Sequence, residues 1–259
     1  MSTNDDLIPM LKKLRMSGIL QTLDLRRRQA VEDNLSHDEF LYRVMTDELE
    51  RRDGKQLDGR LRRAAFEHHK TIEDFDFVFN PSIPKSKVID LATCGFVERH
   101  ENVLLIGPTG TGKSHIAQAL GHRACRAGHT VLYIAAQDLL KQLRAARADG
   151  TLDRKMLRFT TPALLIVDDL GLRPLIADEP IDLYEIIRQR YERTATILTS
   201  NRAVDELHAL FGDTLLASAA MDRLLHGAHV VILDGDSYRN PPPARPRKAA
   251  KQATKEASL

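Results

Sequence analysis

Residues 103–121 read VLLIGPTGTGKSHIAQALG, and this stretch decides the fold. An apolar run, Val103-Leu104-Leu105-Ile106, leads into the frame G-x-x-x-x-G-K-S from Gly107 to Ser114, and helix-compatible residues follow from His115. Strand, loop and helix in that order make a phosphate-binding loop. The backbone of Gly107, Pro108, Thr109, Gly110, Thr111 and Gly112 curls so that successive N–H groups point inward. The helix behind it, with His115 in its first turn, turns its positive dipole end to the same point. Lys113 reaches the β- and γ-phosphates, and the Ser114 hydroxyl ligates Mg²⁺.

Beyond the loop, short apolar runs alternate with helical patterns: TVLYIA (130–135), a helix from Gln137, ALLIVDD (163–169), a helix around 180–192, TILTSN (196–201) and HVVILDG (229–235). Five such strands, counting VLLIG, predict a parallel sheet covered by helices on both faces. The run ending in Asp168-Asp169 is the partner a phosphate loop needs. Asp168 is the candidate to hold Mg²⁺ with Ser114, and Asp169 to orient and polarise the attacking water. Asn201, at the carboxyl edge of the next strand, is the candidate to hold that water from the other side, with a cap for the helical residues from Asp205 as the alternative. No Asn-Lys-x-Asp element follows, which excludes a guanine-nucleotide switch. A small-molecule kinase stays in play as an alternative, although no Arg-rich lid is evident.

The chain has 259 residues, 42% hydrophobic and 29% charged, enough for a core-forming domain with a smaller companion. A formal net charge of +2 leaves any nucleic-acid partner to be argued from where the charges lie. Cys94 and Cys125, without a Cys-x-x-Cys or a His cluster, read as reduced thiols, with neither disulfide nor zinc. The acidic start MSTNDDLIPM lacks a signal-peptide pattern, and no stretch approaches the roughly 18 apolar residues of a membrane span, so a cytoplasmic protein without membrane contact is expected.

Residues 1–70 read as a small all-helical domain of three helices, with Ser36-His37-Asp38-Glu39 opening one through a capping box and Asp53-Gly54 closing it. The aromatic and proline-rich FDFVFNPSIPK (75–85) marks the connection into a nucleotide-binding domain over 71–239. The Pro-, Ala- and Lys-rich residues 240–259 predict a disordered basic tail. Between Arg123 and Arg158 lie Arg123, Arg126, Lys141, Arg144, Arg147, Arg154, Lys155 and Arg158 against Asp138, Asp149 and Asp153. Lys141, Arg144 and Arg147 share one helical face; with Arg154 and Lys155 they form a candidate surface for a duplex backbone.

The chain resembles the IstB-type helper ATPases of IstA/IstB insertion sequences, within the AAA+ group that also holds DnaC-type loaders and DnaA-type initiators. The resemblance rests on LKKLRMSGIL (11–20), FDFVFNPSIPK, GPTGTGKSHIAQALG (107–121), LLIVDDLG (164–171), TSNR (199–202) and ASAAMDRLLHGAHVVILDGDSYR (217–239). Met221, Gly227 and the tail depart from it. It implies a P-loop AAA+ core without a separate C-terminal lid, ATP- and DNA-dependent homo-oligomers, and an IstA-type transposase partner. A helicase loader is the competing function on the same fold. The lone arginines Arg223 and Arg239 are the candidates to reach a neighbouring subunit's γ-phosphate, with Arg223 preferred.

Overall fold

The computed structural model describes residues 3–238. Three helices come first, α1 (Thr3–Lys13), α2 (Ser17–Glu32) and α3 (His37–Ala64). Leu11, Ile19, Leu23 and Val44 form their own small core. Gly18 lets α2 touch the α3 backbone: an added Cβ would meet the Asp47 carbonyl oxygen at 2.7 Å. The buried Glu48 carboxylate then accepts from the Gly18 N–H at 2.7 Å and the Ile19 N–H at 3.3 Å, satisfying donors at a helix start that has no side-chain cap of its own.

The capping box at Ser36 forms, with the Glu39 N–H donating to Ser36 Oγ at 3.2 Å and the Ser36 N–H to Glu39 Oε2 at 3.0 Å. Asp53-Gly54 does not close that helix, which runs on to Ala64 and ends at Ala65, φ 56°. A glycine in an exposed helix interior costs only about 1 kcal/mol against alanine. Leu57, Leu61 and buried Ala64 of the second half pack on the sheet's core, and that packing outweighs it.

After α4 (Lys85–Leu91) and α5 (Gly95–Glu98) the chain alternates: β1 (Val103–Ile106), α6 (Lys113–Arg126), β2 (Val131–Ala135), α7 (Ala136–Ala148), α8 (Leu152–Thr160), β3 (Leu164–Leu170), α9 (Glu179–Arg190), β4 (Ala195–Ser200), a 3-10 turn (Asp205–Leu210), α10 (Thr214–Leu225) and β5 (His229–Ile232). All five expected strands form, in the order β2-β3-β4-β1-β5, every pair parallel. Alternate strand residues face opposite cores. Val103, Leu105, Tyr133 and Ile166 point to α3–α6, whereas Leu104, Ile134, Leu165 and Val167 point to α7–α10. Among the described residues no helix follows β5, none is long and apolar enough to cross a membrane, and no cluster of three metal-ligating side chains occurs. The expected basic tail and Arg239 lie outside the described residues.

Arg190 ties the strand-entry side together. It is 2% exposed, and its guanidinium donates to Thr196 Oγ1 at 3.0 Å, to the carbonyls of Phe159 and Pro162 at 2.9 Å each, and to the Ala195 carbonyl. Burial pushes its pKa down to about 9, so it keeps its charge at neutral pH. Arg190→Met should therefore destabilise the chain by at least about 3 kcal/mol in urea unfolding, because several buried acceptors lose their donor together. A loss below about 1 kcal/mol would mean that water reaches those carbonyls.

Candidate functional site

The phosphate loop sits where β1 ends. Gly110 and Gly112 have φ of 88° and 97°, a region that side chains rarely adopt. Space excludes side chains there too: a Cβ would meet Ser237 Oγ at 2.1 Å from Gly110 and the Phe75 ring at 2.5 Å from Gly112. The loop is thus held between the connector and the closing segment. Within the described residues, the N–H groups of Thr109, Gly110, Thr111 and Gly112 donate to no protein acceptor, and they are the donors the loop offers to phosphate oxygens. Lys113 Nζ lies buried inside the loop, donating to the Gly107 carbonyl at 2.7 Å and the Pro108 carbonyl at 2.8 Å. Ser114 is half-buried in the first turn of α6. The His115 side chain turns away: its Nε2 donates to the Thr71 carbonyl at 2.9 Å and its ring stacks edge-on with Phe75 at 5.2 Å. Burial pushes the imidazole's pKa down, so it ties the connector to α6 without adding charge.

The connector also grips the closing segment. Asn80 Nδ2 donates to the Asp236 carbonyl at 2.9 Å, and the Asp236 N–H donates to Asn80 Oδ1 at 3.1 Å. Ser82 Oγ donates to the Asp234 carbonyl at 2.6 Å, and the Tyr238 N–H reaches the Gly110 carbonyl at 3.0 Å. The sequence marks FDFVFNPSIPK as a domain connection and as a motif of the family resemblance, and neither reading extends to this grip. Its signal was an aromatic and amide-bearing loop too distinctive for a plain linker.

Asp168 and Asp169 occupy a bulge: Val167 pairs with Leu198 and Leu170 with Ser200, so two acids oppose the single residue Thr199. Asp169 takes φ 55°, and it is the one exposed position of β3. Asp168 is 5% exposed and accepts from Tyr133 Oη at 2.7 Å and Thr199 Oγ1 at 2.5 Å. Among the described residues no basic side chain pairs with it. A buried carboxylate held by neutral hydroxyls suits a hard cation, and with the Ser114 hydroxyl it offers the oxygen donors Mg²⁺ takes. Asn201 is exposed just past β4; the 3-10 turn is preceded by Val204, so Asn201 does not cap it.

Arg223 lies on the last turn of α10, half-buried, its Nη1 donating to the Ala219 carbonyl at 2.8 Å. Its guanidinium lies 5.6 Å from the Tyr184 ring centre and 6.0 Å from that of Tyr191. Asn102 Nδ2 donates to the Leu224 carbonyl at 3.1 Å, which fixes this helix end where the strands begin. The subunit's own phosphate loop is at the other end of the strands.

The basic face expected on α7 is divided. Arg144 pairs with Glu179, and Arg147 with Asp182 and, at 3.5 Å, with Asp178. Glu179 and Asp182 are 3% exposed, so these two arginines link α7 to α9, while their own side chains stay 58% and 39% exposed. Arg173, the Ile176 N–H and Arg144 hold the Glu179 carboxyl down at about 2 against the opposing effect of burial. Lys141 is exposed one turn before Ala145. Arg154, Lys155 and Arg158 line a groove of about 330 Å³ between α7 and α8, with Asp149 tied into a turn by Thr151.

Comparison with known proteins completes the assignment. The family model for IstB-like ATP binding protein matches residues 9–244. An insertion-sequence ATP-binding protein of Mycobacterium tuberculosis is 40% identical over 230 residues, 88% of this chain and 92% of the relative. The one of insertion sequence IS21 from Pseudomonas aeruginosa is 36% identical over 89% of this chain and 87% of its own length. Among solved structures, AMPPCP-bound DnaA from Aquifex aeolicus superposes with a TM-score of 0.55 at 23% identity, over 66% of this chain but only about half, 52%, of DnaA. The DnaC helicase loader gives a TM-score of 0.51 at 18% identity, over 58% of this chain and 88% of its own. The structural likenesses speak for the fold alone, and the family match speaks for membership. The chain belongs to the IstB-like ATP-binding proteins, and it is a P-loop ATPase.

Proposed function

We propose that this chain is the helper ATPase of an insertion sequence: with ATP it assembles into an oligomer on target duplex DNA and there engages an IstA-type transposase. The observation that carries the reading is the run of insertion-sequence relatives matched over 88% and 89% of the chain. A helicase loader shares the fold, but these relatives favour transposition. Lys113 and the loop N–H groups bind the β- and γ-phosphates. Ser114 and Asp168 hold Mg²⁺, which supplies charge neutralisation at those phosphates when bound. Asp169 polarises the attacking water and Asn201 steadies it, leaving the nucleotide as the switch between assembled and released states.

Duplex contact is assigned to Lys141, Arg154, Lys155 and Arg158, which form no direct salt bridge among the described residues, although Asp149 shares the groove and is stabilised by Arg154 and Lys155. The triple variant Arg154→Gln, Lys155→Gln, Arg158→Gln should bind unrelated duplexes more weakly. Its slope of log K against log salt should flatten by about 2.7, or about 0.9 per lost phosphate contact. Arg144→Gln with Arg147→Gln should instead lower the melting temperature and leave that slope alone. Fluorescence anisotropy at several salt concentrations reads both, and an unaltered slope in the triple variant would remove this groove from the interface.

A further inference from the structure

We infer that Thr199 is a positioning residue of the ATPase centre, its single hydroxyl fixing Asp168 and Asp169 at once. The inference rests on the reading above, in which Asp168 faces Mg²⁺ and Asp169 faces water. The β3 bulge sets two acids opposite one β4 residue, and that residue is Thr199. It is 0% exposed, and it donates to Asp168 Oδ1 at 2.5 Å while accepting the Asp169 N–H at 2.8 Å. A bulge takes a backbone N–H out of the ladder, and a buried donor needs an acceptor. The Thr199 oxygen supplies one, and so holds Asp169 at φ 55°, where its side chain leaves the sheet for the exposed site.

The opposite oxygen of Asp168 is held by Tyr133 Oη at 2.7 Å, from β2. The two hydroxyls divide the labour. Tyr133 orients Asp168 only, whereas Thr199 orients Asp168 and sets the backbone that aims Asp169. A valine would keep the branched shape at this buried strand position and remove the hydroxyl that both acids use.

The test is Thr199→Val beside Thr199→Ser and Tyr133→Phe. It reads the Mg²⁺ concentration at half-maximal binding of a fluorescent non-hydrolysable ATP analogue, and ATP turnover at saturating Mg²⁺. Groups that orient a metal ligand typically change affinity or rate by about 10–100-fold. Thr199→Val should raise the Mg²⁺ midpoint and lower kcat, each by about tenfold, with KM little changed, and Thr199→Ser should restore most of both. Tyr133→Phe should raise the midpoint as well, and lower kcat at saturating Mg²⁺ by less than Thr199→Val does. A native midpoint and kcat in Thr199→Val would overturn the inference, as would a serine variant no better than the valine one. If Thr199→Val does not fold, an unshifted midpoint in Tyr133→Phe, or a serine variant with turnover far below native, overturns it. Mg²⁺-independent analogue binding by the native chain would instead sink the assignment of Asp168, and the kcat comparison would still decide the Asp169 arm.

Discussion

Lys113→Ala is expected to bind ATP at least about a hundredfold more weakly than the native chain. The ammonium is already inside the loop, 5% exposed and held by the Gly107 and Pro108 carbonyls at 2.7 and 2.8 Å. Little side-chain freedom is left to lose when a triphosphate arrives, which is the usual cost of recruiting a flexible lysine. A charge-assisted hydrogen bond contributes about 1.5–3 kcal/mol, so contacts to two phosphates contribute about 3–6 kcal/mol. At about 1.4 kcal/mol per decade that is two to four orders of magnitude in affinity. Fluorescence anisotropy with an ATP analogue measures it, and a thermal melt checks that the sheet survives losing the tie across the loop. An unchanged Kd would take Lys113 out of the phosphate site.

What the sequence disclosed depended on how far each signal reached along the chain. The phosphate loop, the acid-ended strand and all five strands were legible because each is a contiguous pattern. The strand order was not, since β1 lies between β4 and β5, and only long-range pairing decides that. Helical spacing says which face Arg144 and Arg147 share and nothing about the acids they pair with. Their partners Glu179 and Asp182 lie 35 positions further on. Asp53-Gly54 failed for a related reason: a local stop signal of about 1 kcal/mol lost to packing against a core the local sequence cannot display. Thr199 stood in plain view as a polar residue within an apolar strand. Its meaning waited on the bulge that sets both acids opposite it.

Arg223→Ala is expected to bind ATP nearly as the native chain does and to hydrolyse it at least about a thousandfold more slowly, because trans arginines contribute about 10³–10⁵ in phosphoryl transfer. The geometry favours a neighbour's site over its own. Asn102 fixes the end of α10 where the strands begin, while the phosphate loop follows the end of β1. Tyr184 and Tyr191 lie 5.6 and 6.0 Å from the guanidinium, and Nη1 is held by the Ala219 carbonyl at 2.8 Å. That support limits the arginine's rotamers and keeps a planar donor group, always charged, on the flank of the subunit. Neither Asp222 nor Asp205 pairs with it among the described residues, so its charge is not spent on a local acid. Mixing Arg223→Ala with Lys113→Ala should restore part of the turnover that each lacks alone, since one of the two kinds of mixed interface joins an intact loop to an intact arginine. Native mass measurement must first establish that the variants co-assemble. Co-assembly with no recovered turnover would reject a trans role for Arg223 and pass the assignment to Arg239.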